Sequence, residues 1–185
     1  MFLTGDEAAV FVEGGEPQPA GVDLSAAEIY SFAGAGFLGR GDRRLPPYER
    51  LEPRQGRWIL EPGAYRLVFR EVVRVPVDCV GFCYPRSTLL RSGVLLSCAV
   101  WDPGYVGRGS ALLVVLNPHG FVLEVGARVA QLVYARLTRR PRRLYSGVYM
   151  YEGVGGGGGF MEGRRRRGVV GAEEPSDSPD SCRGG

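Results

Sequence analysis

Short apolar blocks broken by glycine, proline and Asn-Pro turns run along residues 60–137. Tyr65–Val75 (YRLVFREVVRV) alternates β-branched and aromatic residues imperfectly with arginines until Pro76, which predicts a strand ending there. Val94–Val100, Ala111–Leu116 and Phe121–Val125 are shorter runs of the same kind. Arg128–Leu137 (RVAQLVYARL) places Val129, Val133, Ala135 and Leu137 at even spacing, with Gln131 among them; the pattern suits a strand and, in part, a short helix. Strands this close together, with turn signals between them, predict an antiparallel sandwich or barrel. Residues 34–57, rich in Gly, Arg and Pro, read as one long loop, and loops of that length are usually functional or mobile. The chain has no evident internal repeat.

Composition sharpens this reading. The chain has 185 residues and a mass of 20.1 kDa, enough for one domain with an extension and a core that needs no disulfides. Its 29 glycines are about twice the usual ~7% share, and 13 prolines add to them, so short elements and many turns are expected. The composition shifts near Gly153: glycines, four arginines and an acidic Ser/Pro stretch follow. Such a segment cannot bury enough apolar surface to fold alone. Residues 1–153 are therefore read as the folded domain and 154–185 as a Gly/Arg-rich mobile tail. The tail is neutral, so the net charge of +3 belongs to the body, too little to argue for duplex nucleic acid. The run Arg164–Arg167 suits phosphates or RNA, but a short charge run is more often solvated. The N-terminus carries Asp6 and Glu7 where a leader would be basic, and no apolar run approaches the ~20 residues of a membrane span. A soluble, cytoplasmic protein is expected.

The charged residues exclude whole chemistries. Every cation is arginine; there is no lysine, which removes the P-loop lysine, Schiff bases and the kinase lysine. One histidine, His119, rules out a multi-histidine metal site and leaves a single candidate for any Ser-His-Asp triad. It lies in the turn Asn117-Pro118-His119-Gly120 and is given no role. Cys79 and Cys83 have a C-x3-C spacing, and no H-x-E precedes a C-x2-C, so the zinc nucleobase-deaminase signature is missing. These two, with Cys98 and Cys182, are read as buried or free thiols.

Four places concentrate chemistry. Asp23 sits at an apolar strand start, in Ala20-Gly21-Val22-Asp23-Leu24. Arg86, Ser87, Thr88 and Arg91 gather guanidinium forks and hydroxyls that suit a polyphosphate. Asp102-Pro103-Gly104-Tyr105 forces a tight turn that presents Asp102 and Tyr105. Gln131, in Arg128-Val129-Ala130-Gln131-Leu132, is an amide among apolar neighbours and needs partners. Taken singly, each is more simply a capping aspartate, a surface patch, a hairpin turn or a satisfied amide.

Taken in order, the four resemble the dUTPase and dCTP deaminase superfamily. Leu60-Glu61-Pro62-Gly63, Val75-Pro76-Val77-Asp78-Cys79-Val80-Gly81 and the Asp-Pro-Gly-Tyr turn look like its dCTP-deaminase branch. The likeness covers residues 17–153 apart from 34–57. It implies an all-β fold, a distorted antiparallel β-barrel or jelly roll of the dUTPase-like β-clip kind. It also implies a homotrimer with sites shared between subunits, dUTP as substrate and Mg²⁺ as cofactor. By resemblance Arg86, Ser87, Thr88 and Arg91 hold phosphates with help from Gln131, and Asp23 acts on the magnesium hydration shell. The backbone around Ala99 and Val100 reads the pyrimidine edge. Tyr105 packs under the deoxyribose, and Asp102 touches the 3′-hydroxyl and orients or deprotonates the attacking water. Triphosphate hydrolysis needs charge neutralisation and a placed water more than covalent chemistry, so a chain without lysine is no obstacle.

The branch's deaminases are expected to carry a glutamate three residues before Asn117, where this chain has Val114, and a histidine where it has Cys98-Ala99. A valine cannot transfer protons. Hydrolysis of dUTP to dUMP and pyrophosphate is thus the expected activity, serving nucleotide-pool sanitation and dUMP supply. A dCTP deaminase or bifunctional enzyme is the alternative, and a non-catalytic RNA- or partner-binding barrel the next. The register across Arg108-Gly109 decides the Val114 match. In the closing segment, 139–153, the resemblance expects a lysine at Val148 and a glutamine at Glu152, and both are missing; Tyr145 is left to reach phosphate. A further expectation is that Phe160 and Arg164–Arg167 of the tail close the site.

Overall fold

The computed structural model of the chain describes residues 1–154; the tail and its residues Phe160 and Arg164–Arg167 lie outside them. Thr4 opens the first element. Its hydroxyl accepts from the Glu7 N–H while the Glu7 carboxylate accepts from the Thr4 N–H at 2.8 Å, a capping box that starts helix α1 (Gly5–Ala9). Short strands β1 (Val12–Glu13) and β2 (Glu16–Gln18) lead to β3 (Gly21–Phe32), a strand of 12 residues. Gly21, Val22, Asp23 and Leu24 are all buried in succession, so this end of β3 is covered on both faces and shows no alternation.

Segment 34–57 is not one loop. It holds β4 (Phe37–Leu38), β5 (Arg43–Arg44) and β6 (Tyr48–Leu51). β4 and β5 form a hairpin whose four residues are all exposed, and β6 adds to the far end of β3 through the pairs Ile29–Leu51 to Phe32–Tyr48. Strands without a buried face leave no period-two apolar signal, which is why the segment reads as loop. β7 (Arg57–Leu60) and β8 (Gly63–Phe69) follow. The expected strand Tyr65–Val75 breaks at Arg70–Glu71. There the Arg70 N–H donates to the Ser25 carbonyl at 2.9 Å, and the buried Glu71 carboxylate accepts the Ser25 N–H at 2.8 Å. The chain turns this corner, and β9 (Val72–Arg74) joins a different sheet.

β10 (Cys79–Pro85) leads into the short helix α2 (Ser87–Arg91), then β11 (Val94–Ser97), β12 (Val106–Gly107), β13 (Ser110–Val115), β14 (Phe121–Glu124) and β15 (Arg128–Arg136). The expected strand at 94–100 stops at Ser97, and the 128–137 run is strand, with no helix. The main sheet runs β10-β15-β3-β8-β13-β11, all antiparallel. Gly81 of β10 and Trp101, in the chain just past β11, exchange backbone hydrogen bonds of 2.9 and 3.0 Å, so the sheet curls into a nearly closed barrel. Register shifts at Ala26/Glu28 and Arg128/Ala130 mark the bulges that bend it. Tyr134, Phe69, Leu24, Ile29, Leu67, Leu113 and Leu132 fill the interior. Among the described residues no helix is long and apolar enough to cross a membrane. Cys79, Cys83 and Cys98 are free thiols.

Candidate active site

The chain past β11 builds one wall of a cavity of about 530 Å³. Ser97, Ala99 and Val100 line it, and Trp101, pinned to Gly81, is buried beneath. Asp102 to Tyr105 then form a fastened turn. The Tyr105 N–H donates to the Asp102 carbonyl at 3.1 Å, and Gly104 takes φ 84°, a left-handed conformation that suits glycine. The Gly104 N–H donates to the Val75 carbonyl at 3.0 Å, and the Val75 N–H to the Tyr105 carbonyl at 2.8 Å. Val75, just before Pro76, thus holds the turn on both sides. Asp102 is left exposed at the cavity rim while Tyr105 is buried. Tyr105 meets Trp101 and Tyr145 edge-on, with centroids 5.5 and 5.4 Å away. Burial, and then the negative Glu152, push its phenol far above the usual range, so it stays a hydrogen-bond donor. A Cβ at Gly109 would run into the Trp101 ring, so only glycine lets β13 begin so close to the turn.

The opposite end of the cavity is charged. Arg66 pairs with Glu152 and donates to the Ser110 hydroxyl at 2.9 Å. Its guanidinium lies over the rings of Tyr30 and Tyr48, 5.5 and 5.0 Å from their centroids. Burial raises the Glu152 carboxyl above its ordinary value, and Arg66 and Ser110 offset this only in part. Behind it, Arg108 donates to the Phe69 carbonyl at 2.9 Å and to Glu28 at 3.1 Å. Burial pushes the Glu28 carboxyl up, but the Tyr30 hydroxyl and Arg108 more than offset that and leave it lowered. The closing segment is laid over this end by backbone bonds: Tyr145 N–H to the Pro103 carbonyl (2.9 Å), Tyr151 N–H to the Val106 carbonyl and Arg108 N–H to the Glu152 carbonyl (both 2.7 Å).

Of the expected site residues, Ala99, Val100, Asp102, Tyr105 and Tyr145 share this cavity. Arg86, Ser87, Thr88, Arg91 and Gln131 do not line it. They lie past the other end of β10, where Gln131 pairs in register with Tyr84 on one side and Asp23 on the other. Gly81 and Arg86 are five residues apart, so about 16 Å of extended strand separates the two regions. Ser87 and Thr88 are exposed in the first turn of α2, and Arg91 donates to the Ser87 carbonyl at 3.2 Å. Asp23 corrects its expectation. It is 1% exposed, its carboxylate is paired with Arg86, and Arg128 stands 3.5 Å away. A carboxylate enclosed by two guanidiniums is not presented to a hydrated ion, so a magnesium role does not fit it. Arg86 keeps about a third of its side chain exposed.

Phe32, Leu45, Tyr48, Arg66, Tyr149 and Glu152 line the cavity without having been singled out by sequence for a role there. Three of them, Phe32, Leu45 and Tyr48, come from or beside the 34–57 segment. The available signal was Arg66 in the strand run Tyr65–Val75, since a half-buried cation demands partners. On β13 the cavity takes Leu112; Val114 does not line it, and neither side chain can move a proton.

The family model for dCTP deaminase-like proteins matches residues 6–137. The chain belongs to that family. Among its relatives, a protein of Aeropyrum pernix named as a probable deoxyuridine 5′-triphosphate nucleotidohydrolase is 55% identical over 159 residues, 83% of this chain and 100% of the relative. One of Methanosarcina mazei with the same name is 41% identical over 138 residues, 73% of this chain and 81% of the relative. A crystal structure of 2′-deoxycytidine 5′-triphosphate deaminase from Agrobacterium tumefaciens matches with a TM-score of 0.59 at 22% identity, over 76% of this chain and 49% of that one. That likeness is one of fold.

Proposed function

We propose that this chain hydrolyses dUTP to dUMP and pyrophosphate. The observation that carries the reading is the exposed Asp102, fixed on a rigid turn at the rim of an aromatic cavity whose β13 wall has no acid. The names of its 55% and 41% identical relatives support it.

The cavity takes the nucleoside, with Tyr105 beneath the sugar and the backbone at Ala99 and Val100 on the pyrimidine edge. Asp102 orients a water and accepts its proton as the oxygen bonds to phosphorus. The α–β anhydride breaks and pyrophosphate leaves with the electron pair. No three His, Cys, Asp or Glu groups cluster among the described residues. That donor set fits a hydrated Mg²⁺ carried on the substrate's own phosphates, with Asp102 the carboxylate available to its water shell. When bound, the ion supplies neutralisation of the leaving group's charge.

The site works as a homotrimer in this proposal, each cavity completed by Arg86, Ser87 and Thr88 of a neighbouring subunit. Two observations support it: those side chains stand away from the cavity of their own protomer, and Leu95, on β11 and outside the cavity, is 47% exposed. Paired incubations with dUTP and dCTP in Mg²⁺, with products resolved by chromatography, test the activity. dUMP and pyrophosphate from dUTP alone are expected. dUMP or dUTP appearing from dCTP would establish deamination in its place, and turnover of neither would leave a binding protein.

A further inference from the structure

The main sheet ends in β10 on one side and β11 on the other, and these two strands lie side by side. Among the described residues, the backbone hydrogen bonds between β10 and the chain running from β11 to Trp101 are the two that Gly81 and Trp101 exchange. On its other edge β10 is laced to β15 along its whole length, from Cys79–Arg136 to Pro85–Ala130. The seam is therefore the sparsest closure of the barrel. It also stands beside the aromatic cavity, because Ala99 and Val100, just before Trp101, line that cavity.

Two cysteines flank the seam. Cys83 lies on β10, two residues past Gly81, and Cys98 lies just past β11, three residues before Trp101. The antiparallel crossing at Gly81 and Trp101 carries both in the same direction from the bridge, and both pack against the core. The Cys83 thiol is directed at the Cys98 sulfur; that hydrogen bond, and then burial, push it well above its ordinary range. Both thiols are free. Cys98 sits half-buried between exposed Ser97 and Ala99, so it is the sulfur a solute reaches first. Cys79, further back on β10, is buried and turns its thiol to the Asp78 carboxylate at 3.7 Å.

We propose that Cys83 and Cys98 are a dithiol–disulfide pair, a redox modification site that clasps the barrel seam and stiffens the Ala99–Val100 wall of the cavity. The oxidant is a small-molecule disulfide of the glutathione class. The Cys98 thiolate attacks one of its sulfurs, a mixed disulfide forms and one small thiol leaves. Cys83 then gives up its proton, its thiolate attacks the Cys98 Sγ, the Cys83–Cys98 bond forms and the second small thiol leaves. The two protons end on the released thiols, and the two electrons lost by the cysteines reduce the small disulfide. Because the Cys83 thiol holds its proton tightly, this second step is the slower one and speeds up as pH rises. The bond closes a loop that contains α2 and β11, so it adds a covalent link where the backbone supplies two hydrogen bonds.

The test equilibrates the reduced full chain in graded ratios of oxidised to reduced glutathione, quenches with acid and maps the peptides by mass spectrometry. Melting temperature and amide hydrogen exchange are read on the same samples. The expected result is a crosslinked Cys83–Cys98 peptide, lighter by two hydrogens, with melting raised by about 5–10 °C. Exchange at Ala99, Val100 and Trp101 should slow, and dithiothreitol should reverse every change. Cys98→Ser should lose both the crosslink and the redox dependence of melting. Cys83→Ala should lose them too but keep a glutathione adduct on Cys98, which separates the attacked sulfur from the resolving one; melting in reductant confirms that both variants fold. An adduct that stays on Cys98 of the wild type, or crosslinks that join either cysteine to Cys79 or Cys182, would overturn the pair. A Cys83–Cys98 bond that leaves melting and exchange unmoved would overturn the clasp. None of these readouts needs turnover, so the outcome is independent of the hydrolase reading.

Discussion

Asp23 and Asp102 are the same side chain in two settings. Asp23 is buried and enclosed by Arg86 and Arg128, whereas Asp102 is exposed on a turn where its carbonyl accepts the Tyr105 N–H. A carboxylate neutralised inside the barrel holds strands together; one held out on a stiff turn can accept a proton. The motif order marks both as functional, and burial and partners divide the work between them.

The largest effect that separates the two regions is catalytic. Asp102→Asn should lower turnover of dUTP about 10³-fold, while the melting temperature stays within about 2 °C because the side chain is exposed. A variant that keeps substantial turnover would take the chemistry away from the turn. Asp23→Asn should behave in the opposite way. It leaves Arg86 and Arg128 without their partner, and breaking such a pair, partly open to water on the arginine side, costs about 2–4 kcal/mol. The denaturation midpoint reads this, and an unchanged midpoint would refute the structural role.

Glu152 gives the smallest effect and lies between the two, half inside the cavity and paired with Arg66. Its folded value is raised above the ordinary 4.5, chiefly by burial. Below that ordinary value both folded and unfolded chains hold the proton, so there is no contribution. Between the ordinary and the raised value only the folded chain holds it, so stability falls as pH rises through that window. Glu152→Gln removes this slope. Melting temperatures from about pH 4 to about pH 8 should shift in favour of the variant as pH rises, and a constant difference would show that Glu152 titrates as it does in the unfolded chain.

Legibility followed burial pattern. β13, β14 and β15 could be read because one face of each is apolar, and the Asp102–Tyr105 turn because Asp-Pro-Gly has few conformations. The first turns of β3 could not, since consecutive burial of Gly21 to Leu24 erases the alternation, and the exposed hairpin at β4 and β5 has no buried face to advertise. The polar end of the cavity was illegible for another reason. Arg66, Tyr48 and Glu152 come from three distant segments, and nothing local in any of them announces the other two.

The 34–57 segment pairs with the barrel's main sheet through β6, and Leu45 and Tyr48 line the cavity. That makes it a detachable panel. The exposed hairpin of β4 and β5 can change in length without disturbing the strands that lead into the Asp102 turn, so the lining at this end of the cavity can vary while the turn is inherited intact.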